Sequence, residues 1–186
     1  MKKTHFQSTV ARLTSKWKML VLAAFLAVAP LGLQSCFPPF YSFTGANFPD
    51  DVETFSVDFF SNEASLVNPQ LSLNFTEKLK TKFQTQTKLG LKAEQGDYHF
   101  SGAITEYRID PATLNADLGT AQNQFTIKVK VEFVCEKHPD KNIIKDFSFF
   151  KIYDANQPFE SVEESLSNEI TDNIVQQIFA YFALDW

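Results

Sequence analysis

The sequence predicts an α+β domain, a two-layer sandwich of two helices packed on a four-stranded mixed sheet in the order β-α-β-β-β-α. Three observations predict it. Leu71, Phe75, Leu79 and Phe83 recur every four residues, as do Val162, Leu166, Ile170, Ile174, Ile178 and Phe182, so each stretch is a helix with one apolar stripe. Phe125, Ile127, Val129, Val131, Phe133 and Cys135 alternate with Thr126, Lys128, Lys130 and Glu132, as a strand with one buried and one wet face requires. Period-two runs over 54–60, from Tyr98 onward and over 143–153 supply the other strands.

The chain opens with Lys2, Lys3, Arg12, Lys16 and Lys18, followed by an apolar run from Met19 to Cys36, with no acidic residue in the whole stretch. A basic start and about 15 apolar residues describe a secretory signal rather than a membrane span of about 20. Its end, Leu33-Gln34-Ser35-Cys36, resembles the bacterial lipoprotein signal, which implies cleavage before Cys36 and acylation of its thiol. The alternative is an ordinary signal peptide in which Cys36 is incidental. Residues 1–35 are thus expected to be signal, 36–50 a lipidated linker and 51–186 the domain. Several acyl chains on one residue would hold it at a membrane, since each buried methylene adds about 0.8 kcal/mol.

Within the linker, Pro38-Pro39 stiffens the start, and Phe37, Phe40, Tyr41 and Phe43 suit a membrane interface, a partner or the domain itself. Phe55, Val57 and Phe59 make the first strand. Asn68 is placed as N-cap and Pro69 at the first helical position of the first helix, with Gly90 as its stop. The second strand carries Tyr98, Phe100, Gly102 and Ile104, then slips phase near Glu106-Tyr107, which predicts a bulge. A polar loop over 111–122 leads into the third strand, and the turn 138–142 hairpins it to the fourth. Ser161-Val162-Glu163-Glu164 reads as a capping box opening the last helix. The first strand, joined through a helix, is expected to lie parallel to its neighbour.

Removing the five basic residues of the signal leaves twelve Lys and Arg against 22 Asp and Glu, a net charge of −10. So acidic a chain repels phosphate backbones and excludes nucleic acid as a partner class. Of three histidines only His99 and His138 follow the signal, and neither lies in a nucleophile motif. Cys135 and His138 lack the further ligands a zinc site needs, and Cys135 reads as a buried thiol on an apolar strand face. Carboxylate pairs such as Glu163-Glu164 and Asp50-Asp51 fall in a cap and a linker. No cofactor is implied, and a binding or structural role is expected over an enzymatic one.

The runs Tyr41-Ser42-Phe43-Thr44-Gly45-Ala46, Asn62-Glu63-Ala64-Ser65-Leu66-Val67-Asn68-Pro69 and Gly96-Asp97-Tyr98-His99-Phe100-Ser101-Gly102, with the closing Ser-Val-Glu-Glu helix, resemble LptE-family lipoproteins over the whole mature chain. The resemblance implies a lipid anchor at the inner face of the outer membrane. It also implies a non-catalytic role in plugging and assembling an LptD-type β-barrel that inserts lipopolysaccharide into the outer leaflet. Lipopolysaccharide contact by basic residues would fall to Lys128 and Lys130, for which a solvated sheet face is the simpler account. The competing reading is a lipid-anchored binding module or chaperone for another envelope complex, such as a secretion ring.

Overall fold

A computed structural model of the chain describes residues 48–66, 68–112 and 121–184. Its elements are β1 (Thr54–Val57), β2 (Ser61–Asn62), α1 (Pro69–Gln86), β3 (Gly90–Leu91), β4 (Tyr98–Pro111), β5 (Gln122–Cys135), β6 (Ile143–Asp154) and α2 (Phe159–Leu184). The two helices and mixed sheet match the predicted class. The sheet has six strands rather than four, because two-residue strands β2 and β3 join it. Its order is β3-β1-β4-β5-β6, with β2 pairing β4 beyond the end of β1. β1 runs parallel to β3 and β4, as the crossover through α1 demands, while β4, β5 and β6 form an antiparallel meander.

The first strand is shorter than its alternation suggests. β1 stops at Val57, and the Asp58 N–H donates to the Phe100 carbonyl at 2.8 Å. The chain then slips by one residue, so that Phe60 is buried and Phe59 faces solvent. The Phe60 N–H is taken up by the Thr76 hydroxyl of α1, which itself donates to the Ser72 carbonyl, so two polar residues sit on the buried helix face without an unmet group. Phe60 occupies the space beside Gly102, where a side chain on β4 would otherwise point. Gly102 has φ +151°, and a Cβ there would lie 2.0 Å from the Lys130 carbonyl oxygen and 2.9 Å from the Phe60 ring.

β4 and β5 hold one register from Tyr98↔Cys135 to Ile104↔Val129, break it between Ile104 and Glu106, and resume with Tyr107↔Ile127. The expected bulge therefore lies at Thr105 and returns Tyr107 to the core face. Phenylalanine dominates the layer between sheet and helices. Phe83 of α1 meets Phe55, Phe100 and Phe179 at 5.6, 4.8 and 5.3 Å between ring centres, and Phe182 of α2 meets Phe133 at 4.5 Å. Each such burial contributes roughly 1.5–3 kcal/mol.

Both helix starts are tied together. The Asn68 side chain accepts the Gln70 N–H at 3.0 Å, as an N-cap does, and its amide donates to Glu163 at 3.0 Å. The capping box at Ser161 does not form. α2 begins at Phe159, so Ser161 is already helical and its hydroxyl donates to the Pro158 carbonyl at 2.7 Å. Glu163 instead accepts from the Tyr107 hydroxyl across the layer. Burial, followed by that bond, pushes the Tyr107 phenol up to about 12. Tyr107→Phe is expected to lower stability by about 1–2 kcal/mol in urea unfolding, and a change within error would remove this bond from the account.

Candidate functional site

Among the described residues the outer face of the sheet, opposite the helices, carries the exposed side chains of β5 and β6. On β5 it presents Lys128, Lys130 and Glu132, as the alternation predicts, while Thr126 on the same face is buried. Register places Glu106, Arg108 and Asp110 of β4 beside them. Lys128 is committed to Glu106, which also meets Arg108 at 3.0 Å, and Arg108 reaches Asp110 at 2.7 Å. The Lys128 bond holds the Glu106 carboxyl below its usual range, and the Glu106 bond raises the Arg108 guanidinium. Lys130 is exposed, with Ala103 and Asp146 as its cross-strand neighbours. The two lysines share a face, yet a strand of opposite charges neutralises one of them.

The apolar part of this face comes from β6. Phe147 and Tyr153 turn into the core, whereas Ile144, Phe150 and Ile152 remain 63%, 49% and 41% exposed on the outer side. Sequence reasoning missed these three. The signal was present, since Ile143–Asp154 carries apolar residues at both parities, and only one parity can face the helices. Among the described residues β6 pairs with β5 alone, so its twelve residues form one long edge of the sheet, while β3 closes the other with two. A Gln177 amide from α2 approaches the Ser148 carbonyl at 3.5 Å.

A hydrogen-bonded row that the sequence did not reveal lies on the β1–β4 pair. Ser56 and His99 are register partners, so the Ser56 hydroxyl lies 2.8 Å from His99 Nδ1, and His99 Nε2 lies 3.1 Å from Asp58. These are the residue types of a nucleophilic triad. Ser56, however, is fully buried, and its hydroxyl already accepts the Gly96 N–H at 2.9 Å. No acyl group can reach it, and the row acts as a brace between strands.

A second brace fastens the chain where it enters the sheet. One Asp97 oxygen accepts from the Glu53 N–H, the Thr54 N–H and the Thr54 hydroxyl at 3.0, 2.9 and 2.8 Å, and the other pairs with Lys137 at 3.1 Å. Burial opposes the charge, but these bonds outweigh it and hold the Asp97 carboxyl well below the carboxylate range. Lys137 also donates to the Asp51 carbonyl, and His138 Nε2 lies 3.2 Å from the Asp51 carboxylate. His138 thus serves this joint. Cys135 is fully buried, burial pushes its thiol up, and it is unsuited to nucleophilic work. Among the described residues no group of three or more His, Cys, Asp or Glu is placed to hold a metal ion, and no helix is long and apolar enough to cross a membrane. Cys36 lies outside the described residues.

Comparison with known proteins adds a family. The family model described as LptE, Lipopolysaccharide-assembly, matches residues 52–182. No curated protein matches the sequence. Among solved structures, a Xanthomonas campestris protein is similar with a TM-score of 0.52 and 9% identity, over 74% of this chain and 87% of that one. A Helicobacter pylori protein described as a neuraminyllactose-binding hemagglutinin homolog gives 0.51 and 10%, over 77% and 89%. A minor lipoprotein from Acinetobacter baumannii gives 0.45 and 15%, over 68% and 89%. At such identities the first two show a shared fold.

Proposed function

The chain belongs to the LptE lipopolysaccharide-assembly family, and on that footing we propose that it is a lipid-anchored plug and assembly partner of an LptD-type β-barrel at the outer membrane. Acyl chains on Cys36 hold it at the periplasmic side or within the barrel lumen. The domain acts by occupying space and offering a rigid surface, with no catalytic step. Membership of a non-catalytic family supports this, and so does the burial of Ser56 in the triad-like row.

The observation that carries the reading is the open sheet face with Ile144, Phe150 and Ile152 at its margin. A monomer gains nothing by leaving large apolar groups beside a free strand edge, whereas a fitted partner would cover both. In this reading Lys130 is the better of the two lysines for contact with lipopolysaccharide phosphates, because Glu106 already compensates Lys128.

The test is recovery of the partner from detergent-solubilised envelopes with tagged wild type and with the double variant Ile144→Lys, Phe150→Lys. Wild type should bring down a barrel of LptD type and the variant should lose most of it while melting normally. Recovery of a secretion ring instead would establish the competing chaperone reading. Cys36→Ser should give uncleaved precursor without acyl label, and unchanged labelling would refute the anchor.

A further inference from the structure

The hydrogen-bond phase of β6 decides which of its backbone groups are free. Ala155 donates its N–H to the Ala121 carbonyl at 3.0 Å, continuing the register that runs from Gln122↔Asp154 to Phe133↔Ile143. Alternate pairs of an antiparallel ladder exchange such bonds, so the odd-numbered residues from Ile143 to Tyr153 bond β5. Ile144, Asp146, Ser148, Phe150 and Ile152 therefore aim their N–H and C=O groups out of the sheet. The side chains of these same residues are exposed on its outer face. Of their backbone groups only the Ser148 carbonyl meets a donor among the described residues, the Gln177 amide at 3.5 Å.

Sheet edges are ordinarily blunted by Pro, a bulge, shortness or an edge-facing lysine. β6 has no such guard. It runs for 12 residues, roughly 40 Å, without Pro or a register shift. Its two lysines turn to the helix side, where Lys151 pairs with Glu169 and Lys145 lies over the Tyr181 ring at 4.1 Å. The outer margin beside the edge is acidic. Glu132, Asp146 and Asp154 are exposed there against Lys130. No ion pair among the described residues engages any of the four.

We propose that β6 receives an added antiparallel strand from a partner protein, an extended segment with apolar side chains opposite Ile144, Phe150 and Ile152 and basic ones opposite Asp146 and Asp154. Main-chain bonds supply the pairing, and the outer row selects the segment. Charge disfavours a second copy as the occupant, since it would lay the same carboxylates against this margin. The proposal rests on the reading of this margin as a partner's docking site, and adds the form of the contact and the chemistry of the segment.

The experiment is site-resolved amide hydrogen exchange on the purified protein, with the synthetic peptide Lys-Thr-Val-Thr-Val-Thr-Val-Thr-Lys-Thr-Val as probe. Without it, the Asp146, Ser148, Phe150 and Ile152 amides should exchange fast, and those of Lys145, Phe147, Phe149 and Lys151 slowly. The peptide should slow the first group about tenfold, and the same peptide with Glu at both Lys positions should not. No slowing, or equal slowing by both peptides, would overturn the proposal. So would protection of the outward amides that needs no peptide and grows with protein concentration, because it would assign the edge to a second copy. Ser148→Pro separates strand addition from the barrel partnership, since it removes one outward N–H and spares the β5 ladder and the apolar row. It should lose most of the barrel recovered by wild type, whereas Ser148→Ala should keep it and both should melt as folded domains. Undiminished recovery with Ser148→Pro would overturn strand addition and leave the partnership standing. Peptide protection in a wild type that recovers no barrel would do the reverse.

Discussion

Gly102→Ala is expected to remove roughly 4 kcal/mol or more of stability, enough to leave a domain of ordinary stability largely unfolded at 37 °C. Two independent faults combine. At φ +151° any side chain is strained, and the added methyl would lie 2.0 Å from the Lys130 carbonyl oxygen, a backbone atom that cannot step aside without breaking the β4–β5 ladder. The Phe60 ring, which fills the gap above Gly102, would be displaced as well. Gly90→Ala is the control, because its added carbon would meet only ordinary contacts at 3.8 Å and beyond, and its stability should stay within about 0.5 kcal/mol of wild type. Urea midpoints of the two variants decide the matter. A Gly102→Ala loss below about 1 kcal/mol would mean that β4 and β5 are packed more loosely than described.

Asp97→Asn is expected to cost roughly 2–4 kcal/mol, since three donors and an ammonium converge on a carboxylate that the amide replaces with one acceptor and one misplaced donor. The pH dependence gives the diagnostic. The folded-state value is depressed, so the stabilisation is present above the unfolded value of about 3.9 and is lost as pH falls through the folded value. Wild type should therefore weaken steadily as the solution is acidified below about pH 4. The variant should start lower and show a shallower acid limb. Parallel acid limbs would mean that Asp97 is not the group responsible.

Much of the fold was legible because packing obeys simple periods. The α1 stripe, the β5 alternation, the N-cap at Asn68 and the Thr105 bulge all follow from where apolar and capping residues fall. What eluded sequence reasoning was set by partners distant in the chain. β1 ends early because Phe60 is drawn under Gly102, and nothing near residue 57 announces that. The capping box at Ser161 lost to a helix start three residues earlier, and Glu163 answers Asn68 and Tyr107. The Ser56–His99–Asp58 row spans 43 positions and becomes visible only once two parallel strands are set in register. On the candidate surface, Lys128 and Lys130 look equivalent by parity, and only the neighbouring strand tells them apart. The exposed apolar residues of β6 were readable in principle, since a strand apolar on both parities needs two covers and the helices supply one.

The parallel placement of β1 has a kinetic corollary. β4, β5 and β6 follow one another directly and can zip up as hairpins, whereas β1 must wait for a long loop through α1 to close before its short ladder returns any free energy. The last strand to dock is then expected to be the one nearest the N-terminus, with the β4–β5–β6 meander formed while the flank of β4 is still bare.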